Sequence, residues 1–260
     1  AVHSWKDLPL DLGSDTVLAG TLKRADQRDI LFIKKKSQEN IQKNKSIKIL
    51  SSSPRRIYNL KTFIKNYLPF NLKKIQFENI RGNIPSRFKF FLEGNCDGLV
   101  MAKAAVDRLL DNNIEEFNEI ALKMKKNIEQ CLWTVTPLSQ NPSSPGQGAL
   151  GIEVLKYNTD LIEIIKKISD QETLDCVYKE REILKSYGGG CHQKIGVSFF
   201  PTHFGLMKSK KGETDDGMQF YEWDKDYTNI NLKKEVNKNQ IFPLSLKDYN
   251  LFKREYILDS

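Results

Sequence analysis

Four cysteines in 260 residues, Cys96, Cys131, Cys176 and Cys191, are too few and too scattered for a disulfide framework. No two of them stand at metal-ligand spacing, and His3, His192 and His203 do not cluster with acids or thiols, so no metal site is expected. No apolar run approaches the length that crosses a bilayer, and the amino terminus lacks the zones of a secretory signal. A phosphate-binding loop and a dinucleotide fingerprint are also missing: the glycines of residues 146–151 have neither the spacing nor the following helix. There are no internal repeats. These absences point to a reducing, cytoplasmic setting without a membrane partner.

What is present is positive charge. Lys and Arg number 41 against 33 Asp and Glu, a formal +8, which calls for an anionic partner. Much of the lysine is dispersed through polar stretches such as Lys34, Lys35 and Lys36, the pattern of a solvated surface. The arginines gather instead at a few turns, which favours bidentate recognition of carboxylate or phosphate. Nucleic acid is disfavoured, because aromatic residues are not interleaved with the basic ones as base stacking requires.

Residues 46–50 read as a strand, after which Ser51, Ser52, Ser53 and Pro54 open a helix with an apolar stripe at Ile57, Leu60, Ile64 and Leu68. Arg55 and Arg56 lie in its first turn, where unpaired amides favour an anion. A second unit repeats the pattern: a strand over 74–80, a turn at Arg81, Gly82 and Asn83, and a helix from Pro85 that carries Arg87 and stops at Gly94. A third strand, 96–102, feeds a helix with Val106, Leu109 and Leu110. Strands alternating with helices predict a parallel sheet whose ligand sits at the carboxyl ends of the strands. A long helix is expected over 115–131. The turn-rich stretch 141–146 reads as a passage between domains, and 147–153 as a glycine-rich loop entering a strand. Helices near 160–168 and 170–186, followed by strands near 194–200, 203–210 and 217–223, form an α+β module.

Two residues stand out chemically. Cys191 follows Gly188, Gly189 and Gly190 at the end of a helical segment, a place where a thiol is approachable and can carry a covalent group, although a glycine cap followed by a small residue explains it too. Asp7, in Lys6-Asp7-Leu8-Pro9, is either a solvated turn carboxylate or one that faces a cationic intermediate, held ionised by Lys6.

The motifs Ala-Val-His-Ser-Trp-Lys-Asp-Leu-Pro (1–9), Arg24 through Arg28-Asp29, Ser-Ser-Pro-Arg-Arg (52–56), Arg-Gly-Asn-Ile-Pro-Ser-Arg (81–87), Gln-Gly-Ala-Leu-Gly-Ile-Glu (147–153) and Glu180-Arg181 with Gly-Gly-Gly-Cys (188–191) occur in the order found in porphobilinogen deaminases, which the chain resembles over nearly its whole length. The resemblance implies an α/β protein of three domains, two like the lobes of periplasmic binding proteins and a small α+β domain that carries the cysteine. The boundaries expected are 1–29 with 132–155, then 30–131, then 156–260. It implies a dipyrromethane cofactor joined to Cys191 by a thioether, Asp7 as the catalytic carboxylate, and Lys6, Ser51, Ser52, Ser53, Arg55, Arg56, Arg81, Arg87, Arg108 and Gln147 as cofactor- and substrate-binding residues. The implied reaction, in haem biosynthesis, condenses four porphobilinogen molecules, with loss of ammonia, into linear hydroxymethylbilane. A cytoplasmic monomer is expected. Ser86 stands where threonine is usual, and Ala102-Lys103-Ala104-Ala105 replaces a commoner Ala-x-Ala-Gly. Because the chain opens without methionine in what reads as mid-strand, the first lobe is expected to be incomplete and the chain's activity open to question. The alternative is a non-catalytic two-lobed anion-binding protein.

Overall fold

The computed structural model describes residues 1–111, 114–189, 193–202 and 205–225. Cys191, His192 and His203 lie outside the described residues. The strands, in chain order with the helices between them, are β1 (Val2–Ser4), β2 (Thr16–Thr21) and β3 (Asp29–Lys34), then α1 (Gln38–Asn44), β4 (Ser46–Leu50), α2 (Pro54–Tyr67), β5 (Lys74–Glu78), α3 (Ile84–Glu93), β6 (Gly98–Ala102), α4 (Lys103–Leu110), α5 (Asn118–Ile128), β7 (Cys131–Val135) and β8 (Leu150–Leu155). After these come α6 (Thr159–Ile168), α7 (Gln171–Ser186), β9 (Gly196–Thr202), β10 (Gly205–Glu213) and β11 (Gln219–Lys225).

They build three sheets, of order β1-β8-β2, β5-β4-β6-β3-β7 and β11-β10-β9. In the five-stranded sheet β4 runs parallel to β5 and β6, as the alternation of strands and helices predicts. β3 is antiparallel to both β6 and β7. Every residue of β3 and of β6 is buried, the mark of strands covered on both faces. Alternate side chains of β3 serve opposite cores: Ile30 and Phe32 join Phe88, Phe91 and Leu99 on one face, while Leu31 and Ile33 join Ile47, Leu60 and Ile64 on the other.

α2 starts where Ser53 caps it, its hydroxyl accepting from the Arg56 amide with proline in the first turn. Its buried face is not wholly apolar, because Arg55, Arg56 and Asn59 share it with Leu60, Phe63 and Ile64. α7 lies on the third sheet through Cys176, with Ile195, Val197 and Phe199 beneath it.

One expectation is corrected. The long helix of 115–131 ends at Ile128, and Cys131 opens β7, which pairs with β3; the second sheet therefore extends past residue 131 to Val135. Helix periodicity continued into that strand because Met124, Ile128 and Cys131 bury against one core. α6 packs on the first sheet, where Ile165 and Ser169 lie against Gly20. The stretch 141–146 connects the second sheet to the first, and Asn141 and Ser143 within it are fully covered.

The core around β3 supplies a direct check. Phe88 is fully buried, edge-on to both Phe32 and Phe91. Phe88→Ala is expected to cost about 3–5 kcal/mol of unfolding free energy, read by urea titration, with an unchanged m-value.

Candidate functional site

The carboxyl ends of β4 and β5 open on one edge of the five-stranded sheet, and the segments that leave them carry the hydroxyls and arginines named above. Ser52 clasps the two ends together: its hydroxyl donates to the Ile80 carbonyl and accepts from the Ile80 amide, both at 2.7 Å. Ser51 is buried, with its hydroxyl accepting from the Ser53 amide at 3.3 Å. All three serines thus have internal partners at the start of α2.

The centre of the site is Asp29, at the first position of β3 and 1% exposed. Its Oδ2 accepts from Arg55 Nη2 at 2.9 Å and from Asn141 Nδ2 at 2.9 Å. Its Oδ1 accepts from Arg56 Nη2 at 2.8 Å and from Gln147 Nε2 at 2.9 Å. Burial alone would raise this carboxyl, but Arg55 and Arg56 override it and hold it far below the usual carboxylate range. Gln147, 1% exposed, also donates to the Gln27 carbonyl at 2.7 Å, so it joins the 136–149 segment to the 22–28 segment.

Around Arg56 the charge is one-sided. Lys6 is half-buried beside it; burial first, and then the charge of Arg56, lowers the ammonium to about 8, while Asp7 and Asp29 pull the other way. Arg87 is lowered by burial and by the same Arg56 charge, and its Nε donates to the Gly82 carbonyl at 2.7 Å. Lys6, Arg55, Arg56 and Arg87 are therefore brought together. Arg81 and Arg108 are exposed, and among the described residues no hydrogen bond or ion pair ties them to this group. Asp7 ends a short 3₁₀ turn, Trp5–Asp7, and is exposed.

A second buried carboxylate fixes the third sheet against the first two. Glu180 of α7, fully covered, takes Arg24 Nη1 at 2.7 Å and Nη2 at 2.9 Å, and accepts from the amides of Gly146 and Phe199, both at 2.8 Å. Arg181 follows it and donates to the carbonyls of Trp5, Leu8 and Pro9. Towards the far end of α7 the exposed Lys185 pairs with Asp11 at 2.7 Å. Gly188 and Gly189 then adopt φ of +89° and +64°, where glycine is favoured, and a Cβ on Gly189 would stand 2.5 Å from Leu10. The glycine turn therefore rests against the segment that follows Asp7. Sequence reasoning selected the glycines and Asp7 separately; Asp29 and Glu180 appeared only inside longer motifs, because their partners lie 19 to 156 residues away.

A cleft of about 820 Å³ lies on the flank of α2 facing β10 and β11. Two of its three lysines are engaged: Lys194 pairs with Glu213, and Lys211 donates to the Gln140 carbonyl at 3.1 Å.

The Asp29 arrangement makes stability depend on pH. A carboxyl depressed by folding contributes stability that is complete above about pH 4, its unfolded value, and is lost as pH falls below that. The urea midpoint is expected to fall between about pH 4 and 2 in the parent protein and to fall less steeply in Asp29→Asn. Equal slopes would contradict the assignment.

Comparison with known proteins adds the following. The family described as porphobilinogen deaminase, dipyromethane cofactor binding domain, matches residues 1–163. The chain is 36% identical over 199 residues to porphobilinogen deaminase of Caldicellulosiruptor saccharolyticus, covering 76% of this chain and 59% of that protein. It is 32% identical over 212 residues to the same-named protein of Helicobacter acinonychis (81% and 58%), and 30% identical over 237 residues to the probable porphobilinogen deaminase of Picrophilus torridus (90% and 71%). The chain thus spans somewhat under two thirds of the length of the first two relatives. Among solved structures, an arginine transport system periplasmic binding protein from Legionella pneumophila overlays with a TM-score of 0.27 at 12% identity, over 64% of this chain and 65% of its own, a likeness too low to bear on the fold.

Proposed function

The chain belongs to the porphobilinogen deaminase family, and from that premise we propose that it takes part in hydroxymethylbilane synthesis, joining porphobilinogen units with loss of ammonia. The observation that supports this reading is the packing of the glycine turn at 188–189 against Leu10, on the segment that follows Asp7.

The residues present suit a polyacidic dipyrromethane group. Lys6, Arg56 and Arg87 gather at one sheet edge, and the buried Nε of Arg56 has no partner. A group bearing several carboxylates supplies the missing acceptors. When bound through Cys191, that group supplies the free pyrrole carbon to which incoming units are joined. Lys6 and Arg56 hold its acid side chains, and Arg87 stands where later units of a growing, increasingly anionic chain need counter-charge. Asp7 faces the reacting pyrroles: departure of ammonia leaves a cationic ring, and the carboxylate offsets that charge from the open side of the turn. Arg55, Gln147 and Ser51 act behind them as supports.

The three sheets correspond in this reading to three domains: the first sheet with α6, the five-stranded sheet through Val135, and the third sheet with α7. The linkers 22–28 and 136–149 form the hinge between the first two. Among the described residues no helix is long and apolar enough to cross a membrane. We place the protein in the cytoplasm as a monomer with porphobilinogen as its small-molecule substrate and no nucleic-acid partner.

Intact-mass measurement of protein made with porphobilinogen supplied tests the reading. The mass is expected to exceed that of the sequence by two linked pyrrole units, and Cys191→Ala is expected to remove the excess. A bare-chain mass under those conditions supports the non-catalytic anion-binding alternative. Asp7→Asn is expected to keep the added mass while lowering kcat roughly 10²–10³-fold, as loss of a charge-stabilising group does. A kcat within about threefold of the parent would remove Asp7 from the chemistry.

A further inference from the structure

The cleft between α2 and the third sheet plays no part in the reaction proposed above. At about 820 Å³ it falls within the range of roughly 300–1,000 Å³ that holds small organic ligands. Its two walls come from different layers and carry the same pair of groups. On α2, Tyr58 and Lys61 stand one helical turn apart and so share a face. On the third sheet, Lys211 of β10 and Tyr221 of β11 are direct cross-strand partners, which sets an ammonium and a ring side by side.

These groups have capacity left for a ligand. Lys211 is half-buried and donates to the neutral Gln140 carbonyl at 3.1 Å; burial lowers its ammonium, and among the described residues no carboxylate pairs with it. Lys61 lies near enough to Glu213 to favour that carboxylate's charged form, yet among the described residues it makes no hydrogen bond or ion pair. Glu213 is itself engaged, because Lys194 pairs with it and Gln219 Nε2 donates to it at 3.1 Å. Among the described residues neither Tyr58 nor Tyr221 stacks on another ring, in contrast to Phe220, which lies on Tyr187 with ring centroids 4.7 Å apart. Burial first, and then Glu213, raise the Tyr58 phenol against the opposing charge of Lys194, so it keeps its proton and donates. Two cations without a carboxylate partner, facing each other across two open rings, suit an anion with a flat apolar body better than a bare anion or a neutral molecule.

We propose that this cleft is a second binding site, for a small aromatic carboxylic acid whose ring lies between Tyr58 and Tyr221 and whose carboxylate is met by Lys211 and Lys61. A pyrrole acid and an unrelated aryl acid share that chemistry. Because the walls belong to α2 and to the third sheet, the ligand joins the two layers, and Lys211 ties the same place to the 136–149 linker through Gln140. The site is independent of the proposed reaction, since it uses none of Lys6, Asp7, Arg56 or Cys191.

The experiment titrates the whole chain with 2-naphthoate, followed by ligand-observed NMR. A Kd of about 1 mM or tighter is expected. Lys211→Gln is expected to weaken binding about tenfold, the loss of a charge-assisted hydrogen bond, and Tyr221→Ala about three- to tenfold, the loss of a stacked ring. Lys61→Gln, at an exposed position, is expected to weaken it about threefold. Arg56→Gln is expected to leave naphthoate affinity unchanged, and inorganic phosphate at the same concentration is expected to displace nothing. Should Lys211→Gln fail to fold, Tyr221→Ala and Lys61→Gln decide.

Porphobilinogen added to the naphthoate complex separates the two sources: displacement identifies a pyrrole acid as the ligand, and its absence an unrelated aryl acid. Naphthoate that does not bind, that phosphate displaces, or whose affinity falls with Arg56→Gln and not with the cleft variants overturns the proposal. A failed intact-mass test, by contrast, defeats the reaction and leaves the outcome of these titrations as it is.

Discussion

Asp29 is the constraint on which the rest of this architecture turns. Its carboxylate is out of water and accepts from two guanidiniums of α2 and two side-chain amides of the 136–149 linker. A buried carboxylate is tolerated only when fully paired, and removing one partner from such a pair costs about 3–5 kcal/mol. The cost is geometric as well as energetic. While Asp29 holds Arg55 and Arg56, α2 cannot rotate, the 136–149 linker cannot lift from the sheet edge, and Gln147 is fixed between them. Preorganised charge of this kind is what a site for polyacidic ligands needs, since no reorganisation is then required when the ligand arrives.

Glu180 plays the matching part on the other side of the hinge. It joins Arg24 of one linker, Gly146 of the other and Phe199 of the third sheet. Gln147 lies between the two carboxylates, since its carbonyl accepts from Arg24 Nε at 2.9 Å and its side chain reaches Asp29. One continuous network therefore runs from α7, whose end carries the glycine turn, to the arginines of α2. A displacement of α7 must strain Arg24 and Gln147 before it can move independently of the anion site. The exposed pairs elsewhere, such as Lys166 with Glu163, are of the kind that contributes little.

The placement of Lys6 shows how the same network sets chemistry. An ammonium half-buried among arginines is expensive to charge, and the two nearby carboxylates only partly relieve it. An incoming carboxylate would relieve it further. Such a local concentration of positive charge is a different matter from an excess of surface lysine. The net charge of +8 by itself said nothing about where such a group would sit.

Much of the local structure was legible in the residues. Ser53 and Pro54 announced the start of α2, Gly94 the end of α3, and the uninterrupted apolar runs of β6 and β3 reflect strands covered on both faces. The motifs identified the family resemblance and brought Asp7, Cys191 and the arginines into view, because turn chemistry, helix caps and reactive groups are encoded over a few neighbouring residues. Tertiary structure alone decided which of those groups have partners inside the protein. Arg55 and Arg56 are adjacent and chemically identical, and only the position of Asp29, 26 and 27 residues before them, makes one a hinge pin and leaves the other with a free donor. The same holds for α6, whose periodicity is that of any amphipathic helix and whose partner sheet was fixed by the space beside Gly20, and for β7, which paired with a strand a hundred residues earlier. Pattern within a segment sets its own conformation; long-range pairing and burial determine which of its side chains have partners, and those depend on contacts that no local window contains.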